Sequence, residues 1–309
     1  MNYLNMFNQY IGVPDNYDFP KTFEFTEKYS SDGYDCEYYI QSNGVRPNGE
    51  ITYQKVLMAV PHNAKGKLPA VVVPFYYPEA ALGYDPKTKE ELPNYKDNPI
   101  IHKLAKNGFV VISAQSYHLT YAPYQIDNSK IGTVDFDHWM YIGTTFNKEH
   151  PEWSGIGKLV ADTKLLIDVL KADERVDKEK IGILGHSLGG KMAFYTGCLD
   201  NRIKVIVSSD FGLLWDQTNW SDPWYWGDKL EKIKEDGLDN PKLLDSIAPK
   251  PFCLIAGEAD NDLSRQALYN LQGYKQCPET ILVVDHRSGH RPPAYALDAG
   301  IGFLAHWLG

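Results

Sequence analysis

Short apolar runs recur along this 309-residue chain and are separated by longer stretches with helical spacing. Residues 36–40 and 51–60 alternate apolar and polar positions, which predicts antiparallel strands with one buried face. The later runs are continuously apolar and rich in β-branched side chains, which predicts fully buried strands. These runs lie at residues 70–73, 109–113, 180–184, 205–210, 251–257 and 280–285.

Helical patterns fill the intervals between these runs. Residues 157–173 place Leu159, Val160, Thr163, Leu166, Ile167 and Leu170 at helical spacing. Residues 99–107 and 294–308 are also predicted to be helices. Alternation of strand and helix from residue 68 to the end predicts an α/β fold with a mainly parallel, doubly wound sheet and helices on both faces.

Two segments interrupt the alternation, at residues 114–156 and 211–250. Both are rich in aromatic side chains in loop-like sequence, and four of the seven tryptophans lie between positions 215 and 226. We expect one domain over residues 1–309, with residues 1–32 as an N-terminal extension and the two insertions forming a cap.

The most informative motif is G-x-S-x-G at Gly185-His186-Ser187-Leu188-Gly189. It follows a predicted buried strand and precedes a run of helix formers, which is the context of a nucleophile elbow. Such a turn exposes the serine hydroxyl and presents free N–H groups of a helix N-terminus to a developing oxyanion. Ser187 is therefore the predicted nucleophile.

The same segment permits a second interpretation. Residues Gly185 to Lys191 match G-x-x-x-x-G-K, the first seven positions of a phosphate-binding P-loop. That motif requires Ser or Thr next, as a ligand for Mg²⁺, whereas Met192 follows here. A strand that ends in Asp210 offers an acidic partner, so a P-loop nucleotide-binding protein remains an alternative.

A serine nucleophile needs a base and an acid that orients it. Asp260 follows one predicted strand and His290 follows the next, so both are expected at the sheet edge where Ser187 emerges. We predict Asp260 as the acid and His290 as the base. Asp262, Glu258 and Asp210 remain alternatives for the acid, and His286 lies four positions before His290.

These residues resemble the α/β-hydrolase superfamily from about residue 50 onwards. The elbow with Gly190-Lys191, together with Gly257-Glu258-Ala259-Asp260 and Gly289-His290, is similar to the dienelactone-hydrolase-like and acetyl-xylan-esterase-like branch. The resemblance implies Ser187 as nucleophile, Asp260 as acid and His290 as base. Dienelactone hydrolases proper use Cys as nucleophile, so Ser187 indicates ordinary ester hydrolysis through an acyl-enzyme.

The resemblance also implies an oxyanion hole. One donor is expected to be the backbone N–H of Leu188, which follows the nucleophile. The other is expected from the loop after the strand at 70–73, where this chain has Pro74-Phe75-Tyr76-Tyr77 in place of the His-Gly often found in relatives. The backbone N–H of Tyr76 is the predicted donor, with Phe75 as the alternative.

The aromatic insertions suggest the substrate. Rings with polar edges suit stacking on sugars or aromatic acyl groups. The residues predicted to bind substrate are Tyr77, His118, Trp153, Trp215, Trp220 and Trp224. The expected substrate is a small-molecule ester of a short-chain or aromatic acid, including esters of carbohydrates. A serine peptidase on the same triad and a non-catalytic ligand-binding relative remain alternatives.

Composition and charge narrow the classes of partner that this chain is expected to bind. The net charge of −9 disfavours nucleic acid and anionic membranes as partners. The four cysteines show no paired spacing, and no apolar stretch approaches the roughly 20 residues of a membrane span. The first residues lack the pattern of a signal peptide. We therefore expect a cytoplasmic enzyme that needs no metal or organic cofactor.

Overall fold

A computed structural model describes residues 3–13, 17–62, 65–121 and 135–309. Its centre is a nine-stranded sheet with the order β1-β2-β3-β5-β4-β6-β7-β8-β9. The strands are β1 Phe23–Ser30, β2 Tyr34–Val45, β3 Ile51–Pro61, β4 Leu68–Val72, β5 Val110–Ala114, β6 Val176–His186, β7 Val205–Ser209, β8 Phe252–Ala256 and β9 Ile281–Asp285. All pairings from β5 to β9 in this order are parallel, which confirms the predicted α/β fold with a mainly parallel sheet.

The antiparallel part of the sheet is larger than the sequence pattern indicated. Strands β2 and β3 pair antiparallel as predicted, and β3 joins the parallel part by antiparallel pairing with β5. Strand β1 lies inside the expected N-terminal extension and pairs antiparallel with β2. Its side chains are mostly exposed, as at the edge of a sheet, so its apolar periodicity is weak.

Helices cover both faces of the sheet. They are α1 Tyr3–Ile11, α2 Pro78–Leu82, α3 Ile100–Lys106, α4 Phe136–Glu149, α5 Gly155–Ala172, α6 Leu188–Leu199, α7 Lys229–Glu235, α8 Asn240–Asp245, α9 Asp262–Tyr269 and α10 Ala294–Leu308. Two apolar clusters lie on opposite faces: one includes buried residues of α5 and α6, and the other those of α3 and α10. No helix in the described ranges is long and apolar enough to span a membrane.

The first insertion is more helical than expected. Residues 136–149, which the sequence analysis treated as loop-like, form α4, and the Asp135 side chain caps it by accepting a hydrogen bond from the His138 N–H. Trp139, Ile142 and Phe146 on one face are buried, so tertiary packing compensates for the β-branched and aromatic residues that disfavour a helix. Residues 122–134 of this insertion lie outside the described residues.

Candidate active site

Ser187 lies at the turn between β6 and α6, as the elbow motif predicts. It is the single residue between His186, where β6 ends, and Leu188, where α6 begins. Its backbone has φ 56° and ψ −115°, a conformation that a residue with a side chain adopts only at a cost in free energy. The Ser187 N–H donates a hydrogen bond to the Ser209 carbonyl oxygen at 2.8 Å, which fixes the turn to β7.

The glycines of the motif permit close backbone contacts around this turn. A Cβ atom on Gly185 would lie 1.9 Å from the Gly189 carbonyl oxygen. A Cβ atom on Gly189 would lie 2.1 Å from the Pro74 carbonyl oxygen. Both obstacles are main-chain atoms, which cannot rotate away as a side chain can. The G-x-S-x-G spacing is therefore a packing requirement that brings the loop after β4 against the elbow.

His290 reaches Ser187 from the loop after β9. Its Nε2 lies 2.7 Å from the Ser187 Oγ, within hydrogen-bond reach of a base and a nucleophile. Gly289, with φ 73°, supplies the left-handed backbone that precedes it. Burial lowers the pKa of His290 below its ordinary value, and the Lys191 ammonium lowers it further. The imidazole is therefore neutral at pH 7 and able to accept the Ser187 proton.

The structure does not bring Asp260 to His290. The Asp260 carboxylate accepts hydrogen bonds from the backbone N–H groups of Phe211, Gly212 and Leu213, at 2.7 to 3.1 Å. It also accepts one from the Ser264 hydroxyl at 3.1 Å. Among the described residues, no hydrogen bond joins it to His290. Its burial raises the pKa of the carboxyl group, and these four donors oppose that shift. In this arrangement Asp260 holds the turn after β7.

Glu258, two residues earlier, is the acidic side chain whose charge acts on His290. Its negative charge raises the pKa of His290, against the effects of burial and Lys191. The Glu258 N–H donates a hydrogen bond to the Gly289 carbonyl oxygen at 3.1 Å, which joins the loop after β8 to the loop that carries His290. Asp262, another alternative for the acid, forms an ion pair with Arg265 on α9.

Asp210, the remaining alternative, pairs with a different histidine. The Asp210 Oδ2 lies 3.0 Å from the His286 Nε2, and both side chains are fully buried. Burial raises the pKa of Asp210 to about 6, and His286 opposes that shift. The sequence analysis did not identify this pair. The strand ending in Asp210 and the spacing of His286 and His290 were the available signals, but neither indicates which histidine faces which carboxylate.

His186 lies between this buried pair and the candidate base. Its Nδ1 lies 3.2 Å from the Ser209 Oγ, and its ring packs on the His290 ring with centroids 5.0 Å apart. Burial lowers the pKa of His186 well below its ordinary value, so the ring is neutral. No group of three or more His, Cys, Asp or Glu side chains in the described ranges could hold a metal ion.

A cavity of about 130 Å³ opens beside Ser187 and His290. Most of its wall comes from residues 75–100, to which the sequence analysis assigned the oxyanion donor, Tyr77 as a substrate-binding residue and the start of a helix. The lining residues are Phe75, Tyr76, Ala80, Ala81, Asn94, Tyr95, Asn98, Ile100, His186, Ser187, His290 and Arg291.

Of the two predicted oxyanion donors, Tyr76 lines this cavity and Leu188 directly follows Ser187. Leu188 is the first residue of α6, so its N–H has no acceptor within the helix. Tyr76 lines the cavity with Ser187, and its own carbonyl oxygen accepts a hydrogen bond from the Ser116 N–H at 3.0 Å. The loop after β4 contacts the elbow at Gly189, and the assignment of the two N–H donors stays a prediction.

The aromatic residues predicted to bind substrate are not at this cavity. Trp153, Trp220 and Trp224 are at most 3% exposed and belong to the apolar core. His118 is fully buried, and burial lowers its pKa to about 3. Tyr77 and the half-buried Trp215 also lie outside the cavity lining. The structure thus differs from the prediction: the rings in the two insertions pack against one apolar cluster and Tyr77 against the other, because large apolar surfaces gain most free energy by leaving water.

Lys191 has a different role from the one the P-loop interpretation required. Its side chain is buried, and its Nζ lies 5.0 and 4.8 Å from the ring centroids of Trp220 and Tyr225. The Nζ also donates a hydrogen bond to the Thr218 Oγ1 at 3.2 Å. Burial lowers the pKa of Lys191 to about 7. An ammonium held by aromatic rings does not form a phosphate cradle, so the geometry disfavours that alternative.

Comparison with known proteins agrees with this geometry. Residues 55–267 match the model of the Dienelactone hydrolase family. A Bacillus subtilis (strain 168) protein named "Putative hydrolase YtaP" is 27% identical over 205 residues, which cover 57% of this chain and 65% of that protein. The chain thus spans slightly less than two thirds of this relative's length.

Solved structures share the fold at low sequence identity. A glucuronoyl esterase from Solibacter usitatus has a TM-score of 0.72 at 14% identity, covering 99% of this chain and 91% of that one. An acetyl xylan esterase from Paenibacillus sp. R4 has a TM-score of 0.60 at 16% identity, again covering 99% and 91%. Given the matched family model, the parallel sheet and the elbow, this chain belongs to the Dienelactone hydrolase family and has the α/β-hydrolase fold.

Proposed function

We propose that this protein is a serine carboxylesterase that hydrolyses short-chain acyl esters of carbohydrates through an acyl-enzyme. The observation that carries the proposal is the distance of 2.7 Å between the Ser187 Oγ and the His290 Nε2 at a strained elbow. His290 takes the hydroxyl proton as Ser187 attacks the ester carbonyl. The same proton then passes to the alcohol as it leaves, and water repeats both steps to release the acid.

The acid of the triad is proposed to be Glu258, and this replaces the assignment of Asp260. An imidazolium forms at His290 during each step, and a nearby negative charge stabilises it. Glu258 provides such a charge, whereas the oxygens of Asp260 accept four hydrogen bonds from the turn after β7 and from Ser264. Because Glu258 is exposed, water weakens its effect on His290.

The size and lining of the cavity support the choice of acyl group. A volume of about 130 Å³ suits an acetyl or similarly short chain, and the side chains of Asn94, Tyr95 and Arg291 make the wall partly polar. The carbohydrate alcohol is proposed because the structural neighbours include an acetyl xylan esterase. With a carbohydrate alcohol, the sugar lies at the open side of the elbow and the acyl group lies in the cavity.

The test compares hydrolysis of p-nitrophenyl acetate, butyrate and octanoate by the wild type, Ser187→Ala and Ser288→Ala. Ser288 is exposed in the same loop as His290, so its variant is the matched control. We expect turnover of the acetate and butyrate by the wild type and the control, with at least a thousandfold loss in Ser187→Ala. One fluorophosphonate adduct should appear by intact mass and disappear in Ser187→Ala.

The same three proteins are then assayed for acetate release from acetylated xylan. Release by the wild type and the control, but not by Ser187→Ala, supports a carbohydrate ester as substrate. An adduct that survives in Ser187→Ala contradicts the assignment of the nucleophile. Preference for the octanoate over the acetate contradicts the assignment of the cavity to a short acyl group.

A further inference from the structure

The Tyr76 side chain, in addition to its backbone, lies at the candidate reaction centre. Its ring packs between Phe75 and Trp139, with centroid distances of 4.4 and 5.0 Å. These two contacts restrict the ring, and the phenol also interacts with the Ser187 hydroxyl. Tyr76 lines the cavity together with Ser187 and His290, which places the phenol on the side where an ester carbonyl would enter.

The phenol is chemically suited to donate a hydrogen bond. Burial raises the pKa of Tyr76 above its ordinary value, while interaction with the Ser187 hydroxyl and the charge of Arg291 lower it. The phenol therefore keeps its proton throughout the neutral range. Among the described residues, no carboxylate or carbonyl oxygen accepts a hydrogen bond from it, which leaves the donor available to a substrate.

The proposed oxyanion hole borders the loop after β4. This loop carries two bulky aromatic residues at positions 75 and 76. The Leu188 side chain, next to the nucleophile, is apolar and cannot donate a hydrogen bond. A phenol at position 76 adds a neutral side-chain donor to a cavity that Asn94 and Arg291 also line.

We propose that the Tyr76 hydroxyl donates a hydrogen bond to the substrate carbonyl oxygen as it becomes an oxyanion, alongside the Leu188 N–H. This inference rests on the proposed serine-esterase function and adds a catalytic side chain to it. No bond to Tyr76 forms or breaks, and the phenol keeps its proton through both steps. A neutral donor already oriented toward a developing negative charge stabilises the transition state more than the ester itself.

The test removes the hydroxyl alone, with Tyr76→Phe. The control is Tyr84→Phe, which removes a phenol from the same β4–α3 segment, where Tyr84 contacts the Tyr34 hydroxyl at 2.7 Å outside the cavity. Steady-state hydrolysis of p-nitrophenyl acetate gives kcat and KM. Inhibition by phenylboronic acid, which forms a tetrahedral adduct on a nucleophilic serine, measures affinity for a mimic of the intermediate.

We expect Tyr76→Phe to lower kcat by about tenfold to a thousandfold, with KM changed by less than twofold. The affinity for phenylboronic acid should fall by a factor similar to that in kcat, and Tyr84→Phe should match the wild type in both. A purely structural role of Tyr76 predicts a raised KM or a lowered melting temperature instead.

Two results would contradict the inference about Tyr76 without contradicting the proposed esterase function. One is a kcat of Tyr76→Phe within twofold of the wild type. The other is a loss of kcat without a loss of affinity for phenylboronic acid. Failure of the proposed function has a different signature, because the wild type itself would then show neither turnover nor a fluorophosphonate adduct.

Discussion

At the scale of single residues, two acidic side chains on one turn have different surroundings. Asp260 is buried among three backbone N–H donors and Ser264, and Glu258 is exposed with its charge near His290. The local sequence does not distinguish the two residues, since both follow the same strand and either could face a histidine. The difference arises from the turn at residues 211–213, which lies almost fifty residues earlier in the chain.

The first prediction separates these two roles by the pH dependence of kcat/KM. Because the charge of Glu258 raises the pKa of His290, Glu258→Gln should lower that pKa further. Activity, which needs the neutral imidazole, should then persist to lower pH than in the wild type. A fall in kcat/KM of about twofold to fivefold is expected on the plateau, because an interaction between solvent-exposed charges contributes about 0.2–1 kcal/mol.

Asp260→Asn is the comparison variant. Its amide would turn an NH₂ group toward backbone donors, and each buried donor left unsatisfied costs about 1–3 kcal/mol. For Asp260→Asn we expect a lower free energy of unfolding than in the wild type. The acid limb of its pH profile of kcat/KM should be unchanged. If Asp260→Asn shifts that limb and Glu258→Gln does not, Asp260 orients His290 and the assignment of Glu258 is wrong.

At the scale of elements, the β6–α6 turn depends on a close contact with the loop after β4. Gly189→Ala should break that contact, since its Cβ would lie 2.1 Å from the Pro74 carbonyl oxygen. The main chain at residues 74–76 must then move away from Ser187. We expect at least a tenfold loss of kcat and a loss of about 1–3 kcal/mol in the free energy of unfolding.

Gly302→Ala is the matched control for this variant. Gly302 also lies in a helix, α10, and a Cβ atom there meets nothing within 4 Å. The same substitution should therefore leave activity unchanged and stabilise the helix by about 0.5–1 kcal/mol. Comparable activity in Gly189→Ala and Gly302→Ala would mean that the loop after β4 does not need its position for catalysis.

The elements with strong periodicity were predictable from sequence, and those stabilised by packing were not. Helix α5 and the buried strands follow their apolar patterns closely. Helix α4 has an ordinary mixture of polar and aromatic residues, and its buried face becomes evident only against the core. The segment at residues 75–100 has little regular structure, yet it supplies most of the cavity wall.

The same distinction applies to the site. Ser187 and His290 could be paired from the elbow motif and from the order of strands, because parallel strands bring their carboxyl ends to one edge. The aromatic insertions were assigned to substrate because tryptophan clusters suit sugar binding, but burial of Trp153, Trp220 and Trp224 in the core is a stronger tendency. Which rings face a cavity depends on tertiary contacts that periodicity does not report.

At the scale of the whole molecule, a buried ion pair on α5 is hydrogen-bonded to β2 in the antiparallel part of the sheet. Lys158 and Asp162 are one turn apart on α5, and the Lys158 side chain has no exposed surface. The Lys158 Nζ donates a hydrogen bond to the Asn43 carbonyl oxygen on β2 at 2.7 Å, and the Asn43 Nδ2 donates to the Asp162 Oδ2 at 3.2 Å. Burial raises the pKa of Asp162 to about 6, and the Lys158 ammonium opposes that shift.

Removal of one member of the Lys158–Asp162 pair should therefore lower the free energy of unfolding far more than removal of both. Lys158→Met leaves the Asp162 carboxylate buried without its cation, and the free energy of unfolding should fall by about 3–5 kcal/mol. The double variant Lys158→Met with Asp162→Leu should recover most of this loss, because it leaves no buried charge. Lys171 is on the same helix and forms an exposed pair with Glu179 on β6, so Lys171→Met should change the free energy of unfolding by less than about 1 kcal/mol. Urea denaturation of the wild type and the three variants measures these differences in the free energy of unfolding. A double variant no more stable than Lys158→Met would contradict this expectation, because the ion pair itself would then hold α5 to β2.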